Sequence, residues 1–180
     1  MPVARALPVA LPEESAERLA ALFDAHYDRL YRLARRLATN ADAARDLVQE
    51  TFLKAARSPT AVPSGTENEE AWLVRVLINV SRDEWRKTDV RRRYQSPLAA
   101  SAPPATSHEA AFVARATIWR ALEALPPRRR AIVVMHELEG MTVPAVASLL
   151  GITPITVRWH LSRGRRELAR ILTSRSGDTT

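Results

Sequence analysis

Cysteine is absent from the 180-residue sequence. Disulfides, zinc sites built from thiolates and cysteine redox switches are therefore excluded, and a reducing cytoplasm is the compartment we expect. No run of about eighteen apolar residues occurs, so the sequence predicts no membrane-spanning helix. The N-terminal segment MPVARALPVALP is interrupted by prolines and lacks the apolar core of a signal peptide, which favours a disordered tail.

The residue patterns of catalysis are also missing. The sequence has no phosphate-binding glycine loop, no nucleophile with a partner base and no cluster of metal ligands. His136 and Glu137 begin like a zinc-protease motif, but Gly140 stands where the second histidine is needed. We therefore expect no enzymatic activity, no cofactor and no small-molecule substrate.

Positive charge is in excess. The chain has 27 Lys and Arg residues against 20 Asp and Glu residues, for a formal net charge of +7, and most of the cations are arginine. This balance favours a polyanionic partner over an acidic small substrate. The hydrophobic fraction of 46% is ample for packed cores in one domain or two small ones.

The segment 142–172 has the pattern of a helix-turn-helix. Thr142 can cap a short first helix, Gly151 suits a tight turn, and Thr153 followed by Pro154 can begin a second helix. In that second helix the apolar and the cationic residues lie on different faces, and the cationic face would suit the major groove of DNA. The alternative is a solvated basic face on an ordinary helical hairpin. The candidate DNA-binding residues are Arg158, Trp159, Ser162, Arg163 and Arg166.

Two amphipathic helices are predicted near the N-terminus, at about residues 15–38 and 42–57. The second has another stripe at helical spacing on the face turned away from the core. Such a face suits a protein partner, but a solvated face with one stray leucine explains the spacing equally well. The stripe consists of Asp46, Gln49, Glu50, Leu53 and Arg57.

A third helix is predicted to begin at Thr66, which has capping-box spacing to Glu69. Its outward face interleaves aromatic, amide and cationic groups, which is typical of surfaces that bind unpaired nucleic acid. A charge-laced surface helix is the alternative, since Asp83, Glu84 and Asp89 offer local ion pairs. The candidate residues are Trp72, Arg75, Asn79, Arg82 and Arg86.

Residues 95–108 lose helical periodicity and are rich in proline, alanine and serine, which predicts a flexible linker. The predicted fold is therefore all-α. It consists of two small helical domains, 15–94 and 109–172, between tails at 1–14 and 173–180, and the C-terminal domain contains the helix-turn-helix.

Two helical patterns precede the helix-turn-helix within the C-terminal domain, from about residue 109 to Leu125 and from Arg128 to Leu138. Their apolar residues are expected to pack inward. Ile118 and Leu138 are among them.

Three segments resemble the extracytoplasmic-function (ECF) sigma factors, a family of small bacterial RNA polymerase subunits. The segment Asp46-Leu-Val-Gln-Glu-Thr-Phe-Leu is similar to the family's second conserved region, and AWLVRVLINVSRDEWRK is similar to its region for the minus-10 promoter element. The stretch from ALEALPPRRR to ELARIL resembles the domain that reads the minus-35 element. The resemblance extends from about Leu19 to Leu172.

The resemblance implies a role for each surface. The stripe from Asp46 to Leu53 would dock on the coiled coil of the polymerase's largest subunit. Asn79 falls at a position that helps to hold a flipped base in the family, and Trp72 lies nearby. Three further residues are added from helical spacing alone and would contact the DNA backbone: Arg75, Arg82 and Arg86. Three residues align with family positions that face minus-35 DNA: Arg158, Trp159 and Arg163.

Two departures from the family pattern concern the helix-turn-helix. Trp159 stands where a small polar residue is frequent, which affects the expected promoter sequence more than DNA binding itself. Pro144 and Ala145 replace the usual acidic pair at the start of the first helix. The implied partners are core RNA polymerase, promoter DNA and an anti-sigma factor.

Two other functions compete with the sigma-factor interpretation. One is a stand-alone helix-turn-helix regulator that binds symmetric duplex sites without polymerase. The other is a protein-interaction module whose basic surfaces match an acidic partner.

Overall fold

The computed structural model describes residues 13–94 and 117–176, with side chains for 13–88 and 117–174. Within these ranges the regular structure is helical and contains no strand, which confirms the all-α prediction. The predicted linker, residues 1–12 of the N-terminal tail and residues 177–180 of the C-terminal tail lie outside the described residues.

Helices follow one another with short connections. The N-terminal ones are α1 (Glu13–Leu37), α2 (Ala41–Arg57), a 3₁₀ turn (Pro59–Ala61) and α3 (Thr66–Tyr94). The C-terminal ones are α4 (described over 117–123), α5 (Pro127–Val133) with a π-helical turn (Val134–Leu138), α6 (Val143–Leu150) and α7 (Pro154–Ser176).

Both outer helices are longer than the sequence pattern predicts. Helix α1 begins at Glu13, where two glutamates occupy the first turn and stabilise the positive end of the helix dipole. Helix α7 continues past Leu172 to Ser176. Its last turns are supported by the Thr173 hydroxyl, which donates to the Ala169 carbonyl at 2.8 Å.

The N-terminal helices α1, α2 and α3 pack around leucines and valines that are completely buried, among them Leu30, Leu33 and Leu73. His26 is also buried, and its Nε2 lies 3.4 Å from Glu69 Oε2, so it is a packed, hydrogen-bonded histidine. Helix α3 begins at Thr66 as predicted, but the capping box does not form, because the Glu69 carboxylate faces His26 instead of turning back.

The C-terminal core is built from α5, α6 and α7 around residues such as Ile132, Met135 and Val146. Two predicted core residues are in fact half exposed, Ile118 at 50% and Leu138 at 48%. The π-helical turn explains Leu138, because its wider spiral rotates the end of the helix out of the register of an α-helix. On α4, the buried positions are Ala121 and Leu122, and Ile118 lies beyond them.

The two groups of helices pack against each other, with α3 contacting α5 and α6 and α1 contacting α5. Glu139 lies at the centre of this contact. Its carboxylate accepts a hydrogen bond from Arg29 Nη1 at 2.7 Å and lies 3.5 Å from Arg36 Nη1. Buried Arg130 completes the contact by donating to the Leu37 carbonyl at the end of α1 and to the Glu123 carbonyl.

Candidate nucleic-acid and partner interfaces

The helix-turn-helix forms through the caps that the sequence predicts. The Ala145 amide donates to the Thr142 side chain at 3.3 Å, and the Thr156 amide donates to the Thr153 side chain at 3.2 Å. Between the helices Gly151 has φ of 62°, a left-handed conformation that glycine adopts without strain. The turn therefore fixes the direction in which α7 leaves α6.

The inner face of α7 is held tightly against α5. Val157 and Leu161 are buried, and Gly164 is buried beside them. A Cβ added to Gly164 would lie 2.7 Å from Val133 Cγ2, closer than ordinary packing permits. The absence of a side chain at Gly164 therefore allows the close approach of the two helices.

The outer face of α7 is open to solvent. All five predicted residues are exposed there, namely Arg158, Trp159, Ser162, Arg163 and Arg166. Arg163 Nε lies 3.3 Å from Glu167 Oε1, an exposed pair that DNA phosphate can replace at little cost. The surface is cationic with one large aromatic ring at its centre.

Arg129 supports this ring from α5, a role that the sequence analysis did not assign. Its guanidinium lies 5.7 Å from the centre of the Trp159 ring, and its Nη1 donates to Glu167 Oε2 at 2.6 Å. Arg129 belongs to a run of three arginines after two prolines, and a run of this kind does not indicate which side chain turns inward.

Helix α3 carries the second predicted DNA surface, and its five residues are not equally accessible. Asn79 and Arg86 are exposed, whereas Arg82 is partly covered and Trp72 packs partly against the core. Arg75 is also partly covered. Its Nη1 lies close to Gly151, only 3.2 Å from the position that a Cβ on this glycine would occupy. The turn of the helix-turn-helix therefore lies against the first half of this face.

The predicted docking stripe lies on α2 as expected. Asp46, Gln49 and Leu53 are exposed, while Glu50 is partly covered and lies 3.5 Å from Arg57 Nη1 and 3.9 Å from Lys54 Nζ. The stripe forms one wall of a groove of about 910 Å³. Its other walls are made by α3, by the end of α4 and by the start of α5, and they include Asp83, Glu84, Trp85, Glu123 and Arg130.

Electrostatic shifts are found at the helix contacts. Burial opposes the charge of Arg29, but the hydrogen bonds that Arg29 donates to Glu139 and Glu70, together with the charges of these carboxylates, outweigh it and raise the Arg29 pKa. Burial lowers the pKa of Arg130 to about 10, with the Glu123 charge acting in the opposite direction. The pKa of His160 is lowered by burial and then by the charges of neighbouring arginines on α5.

The described part of the chain has neither a metal-binding cluster nor a membrane-spanning helix. No group of three or more His, Cys, Asp or Glu side chains in 13–88 and 117–174 is placed to hold a metal ion. None of the described helices is long and apolar enough to cross a membrane.

Comparison with known sequences identifies both halves of the chain. Residues 22–91 match the family described as Sigma-70 region 2, and residues 115–168 match Sigma-70, region 4. The ECF RNA polymerase sigma factor SigE of Mycolicibacterium smegmatis is 35% identical over 159 residues, which cover 86% of this chain and 61% of SigE. SigL of Mycobacterium tuberculosis strain H37Rv is 32% identical over 85% of this chain and 88% of its own length.

A third relative and two solved structures are also similar to this chain. The RNA polymerase sigma factor CarQ of Myxococcus xanthus is 32% identical over 84% of this chain and 87% of its own length. The fold is similar to sigma factor RpoE in complex with the anti-sigma factor NepR from Bartonella quintana, with a TM-score of 0.55, 22% identity and coverage of 90% and 98%. It is also similar to CnrH in complex with the cytosolic domain of CnrY, with a TM-score of 0.57, 23% identity and coverage of 88% and 90%.

The fold, the open face of α7 and the two matched regions define a class, the sigma-70-type initiation factors of RNA polymerase. Within that class the chain belongs to the ECF RNA polymerase sigma factors. A promoter-directing subunit is thereby favoured over a stand-alone regulator.

Proposed function

We propose that this sigma factor divides its work among three helices. The outward stripe of α2 docks on the largest subunit of core polymerase, the outer face of α3 holds melted minus-10 DNA, and α7 reads the minus-35 element. The observation that carries the proposal is the open face of α7, where all five predicted DNA-contacting side chains are exposed on a helix-turn-helix. Chemistry on the nucleic acid is left to the polymerase.

The docking stripe fits a basic partner. Asp46 and Gln49 are exposed beside Leu53, which is 39% exposed, so the stripe offers two polar groups next to one apolar contact. Acidic groups also line the facing wall of the groove, where Asp83 and Glu84 project from α3. Carboxylates outnumber cations in the groove lining by five to three, which favours a cationic helix over an acidic one.

The α3 face requires a change of arrangement. Asn79 is exposed and available to a flipped base, but Arg75 lies against the Gly151 turn of the C-terminal helices and Trp72 is partly buried against the core. Capture of unpaired bases needs stacking surface and cations together. We therefore propose that the two domains, taken as 15–94 and 109–172, separate when the minus-10 strand binds.

An anti-sigma factor is also proposed as a partner. The similar RpoE and CnrH structures are complexes, RpoE with the anti-sigma factor NepR and CnrH with the cytosolic domain of CnrY. A protein that stabilises the packed arrangement described above would keep the α3 face covered. We propose that this regulation and the promoter work both take place in the cytoplasm.

Charge reversal on α2 tests the docking proposal. Asp46→Lys and Glu50→Lys should each abolish co-purification of the full chain with core polymerase while leaving the helical circular dichroism unchanged. Asp24→Lys, an exposed reversal on α1, is the matched control and should co-purify normally. Retention of both α2 variants on polymerase would show that the docking face lies elsewhere.

A further inference from the structure

An exposed apolar pair stands at the start of α7, among its arginines. Ile155 is 75% exposed and Trp159 is 54% exposed. The two residues are four positions apart, so they lie on one face of the helix. Neither the helical pattern nor the family resemblance assigns Ile155 a role. Isolated exposed apolar residues are ordinary on protein surfaces, so the case for a function depends on what surrounds this pair.

The position of Ile155 is the first argument. It is the second residue of α7, directly after the turn at Gly151. In a helix-turn-helix the N-terminal residues of the second helix are the ones that approach base edges in the major groove. If α7 enters DNA as proposed, an apolar side chain at this point faces bases and not phosphates.

The charge around the apolar pair indicates which kind of partner contacts it. Arg158, Arg163 and Arg166 are exposed on the same helix as the apolar pair. A cationic rim favours a polyanion over a second apolar protein surface. In the major groove of a DNA duplex the apolar group on a base edge is the 5-methyl group of thymine.

Rigidity is the third argument. Ile155 is β-branched and has few side-chain conformations in a helix. It therefore loses little conformational entropy on binding.

We propose that Ile155, together with Trp159, forms an apolar reading surface for a thymine methyl group in the upstream promoter element. The proposal rests on the minus-35 role of α7 and adds a base preference to it. Ile155 is a specificity-determining residue in this account, and the arginines supply most of the affinity.

Removal of single methyl groups from DNA tests the proposal. The full chain with core polymerase first selects duplexes from a random pool, and each thymine of the selected upstream element is then replaced by deoxyuridine. One replacement should weaken wild-type binding about fourfold, the fold-change that corresponds to about 0.8 kcal/mol for one buried methyl-sized group. Ile155→Ala should weaken binding to the thymine duplex by a similar factor and should no longer distinguish thymine from deoxyuridine at that position.

Ile118→Ala is the matched control, because Ile118 is a half-exposed isoleucine on α4 with no proposed role. It should keep the wild-type discrimination. Equal binding of thymine and deoxyuridine duplexes at every position would overturn the inference while leaving sequence-specific binding by α7 intact. Two results for Ile155→Ala would also overturn the inference. One is continued discrimination between thymine and deoxyuridine, and the other is a loss of binding to polymerase or another protein in place of a loss of discrimination. Failure of the wild type to select any upstream sequence would instead refute the minus-35 role itself.

Discussion

Glu139 is the residue whose change most sharply tests how the two groups of helices pack. Its side chain is 13% exposed and bridges Arg29, which is 25% exposed, and Arg36. A hydrogen bond between charged groups contributes about 1.5–3 kcal/mol net, and the partial exposure of Arg29 reduces this to about 1–2 kcal/mol. Glu139→Gln should therefore shift the ratio of packed to separated domains by about 5- to 30-fold.

Energy transfer between two dyes measures this shift. The chain has no cysteine, so Ser64→Cys and Ser148→Cys provide labelling sites on the two groups of helices, and both serines are exposed. Glu139→Gln should lower the transfer efficiency of the free chain. Glu137→Gln is the matched control, because Glu137 accepts from Arg165 at 2.6 Å within the C-terminal helices and should leave the transfer unchanged.

Binding of single-stranded DNA gives an independent readout of the same change. Separation of the two groups of helices would uncover Arg75, so Glu139→Gln should increase the affinity of the free chain for a minus-10 non-template oligonucleotide. Unchanged energy transfer together with unchanged oligonucleotide binding would refute the reasoning, because the ion pair would then contribute nothing to the packed arrangement.

Three further predictions concern stability. Gly164→Ala should destabilise the chain in urea by about 1–2 kcal/mol, because overpacking against Val133 outweighs the gain in helix propensity, and combining it with Val133→Ala should restore much of the loss. Burial and then the arginine charges of α5 lower the pKa of His160, so the unfolded chain binds a proton first as the pH falls below about 6.5. Stability should therefore fall in that window, and His160→Gln should show a smaller drop in Tm between pH 7 and pH 5. Thr142→Ala removes the cap on the Ala145 amide and should cost about 1 kcal/mol in the same urea assay.

Local signals predicted much of the structure and of the α7 surface. Thr142, Gly151 and Thr153 each act through atoms only a few residues away, so their types and spacing were sufficient to predict the turn. The exposed and buried faces of α7 follow from the period of the helix in the same way. Ile155 was missed because one apolar residue on a polar face is not distinguished by periodicity.

Features that depend on distant contacts could not be predicted. The Arg29 and Glu139 side chains meet although they are 110 residues apart in the chain, and nothing local distinguishes them from surface charges. Arg130 is buried in a run of arginines that periodicity alone treats as equivalent. Leu138 was misplaced because a π-helical turn carries no recognised sequence signal and changes the register of every residue after it.

Reconstituted transcription tests the central claim most directly. Core RNA polymerase, the full chain and a library of promoter fragments should give runoff transcripts from specific start sites, only when the protein is present and not when Asp46→Lys replaces the wild type. The start sites should share an upstream element and a downstream melted element at constant spacing. Tight binding of the free protein to symmetric duplex sites, without any transcript on addition of polymerase, would contradict the account.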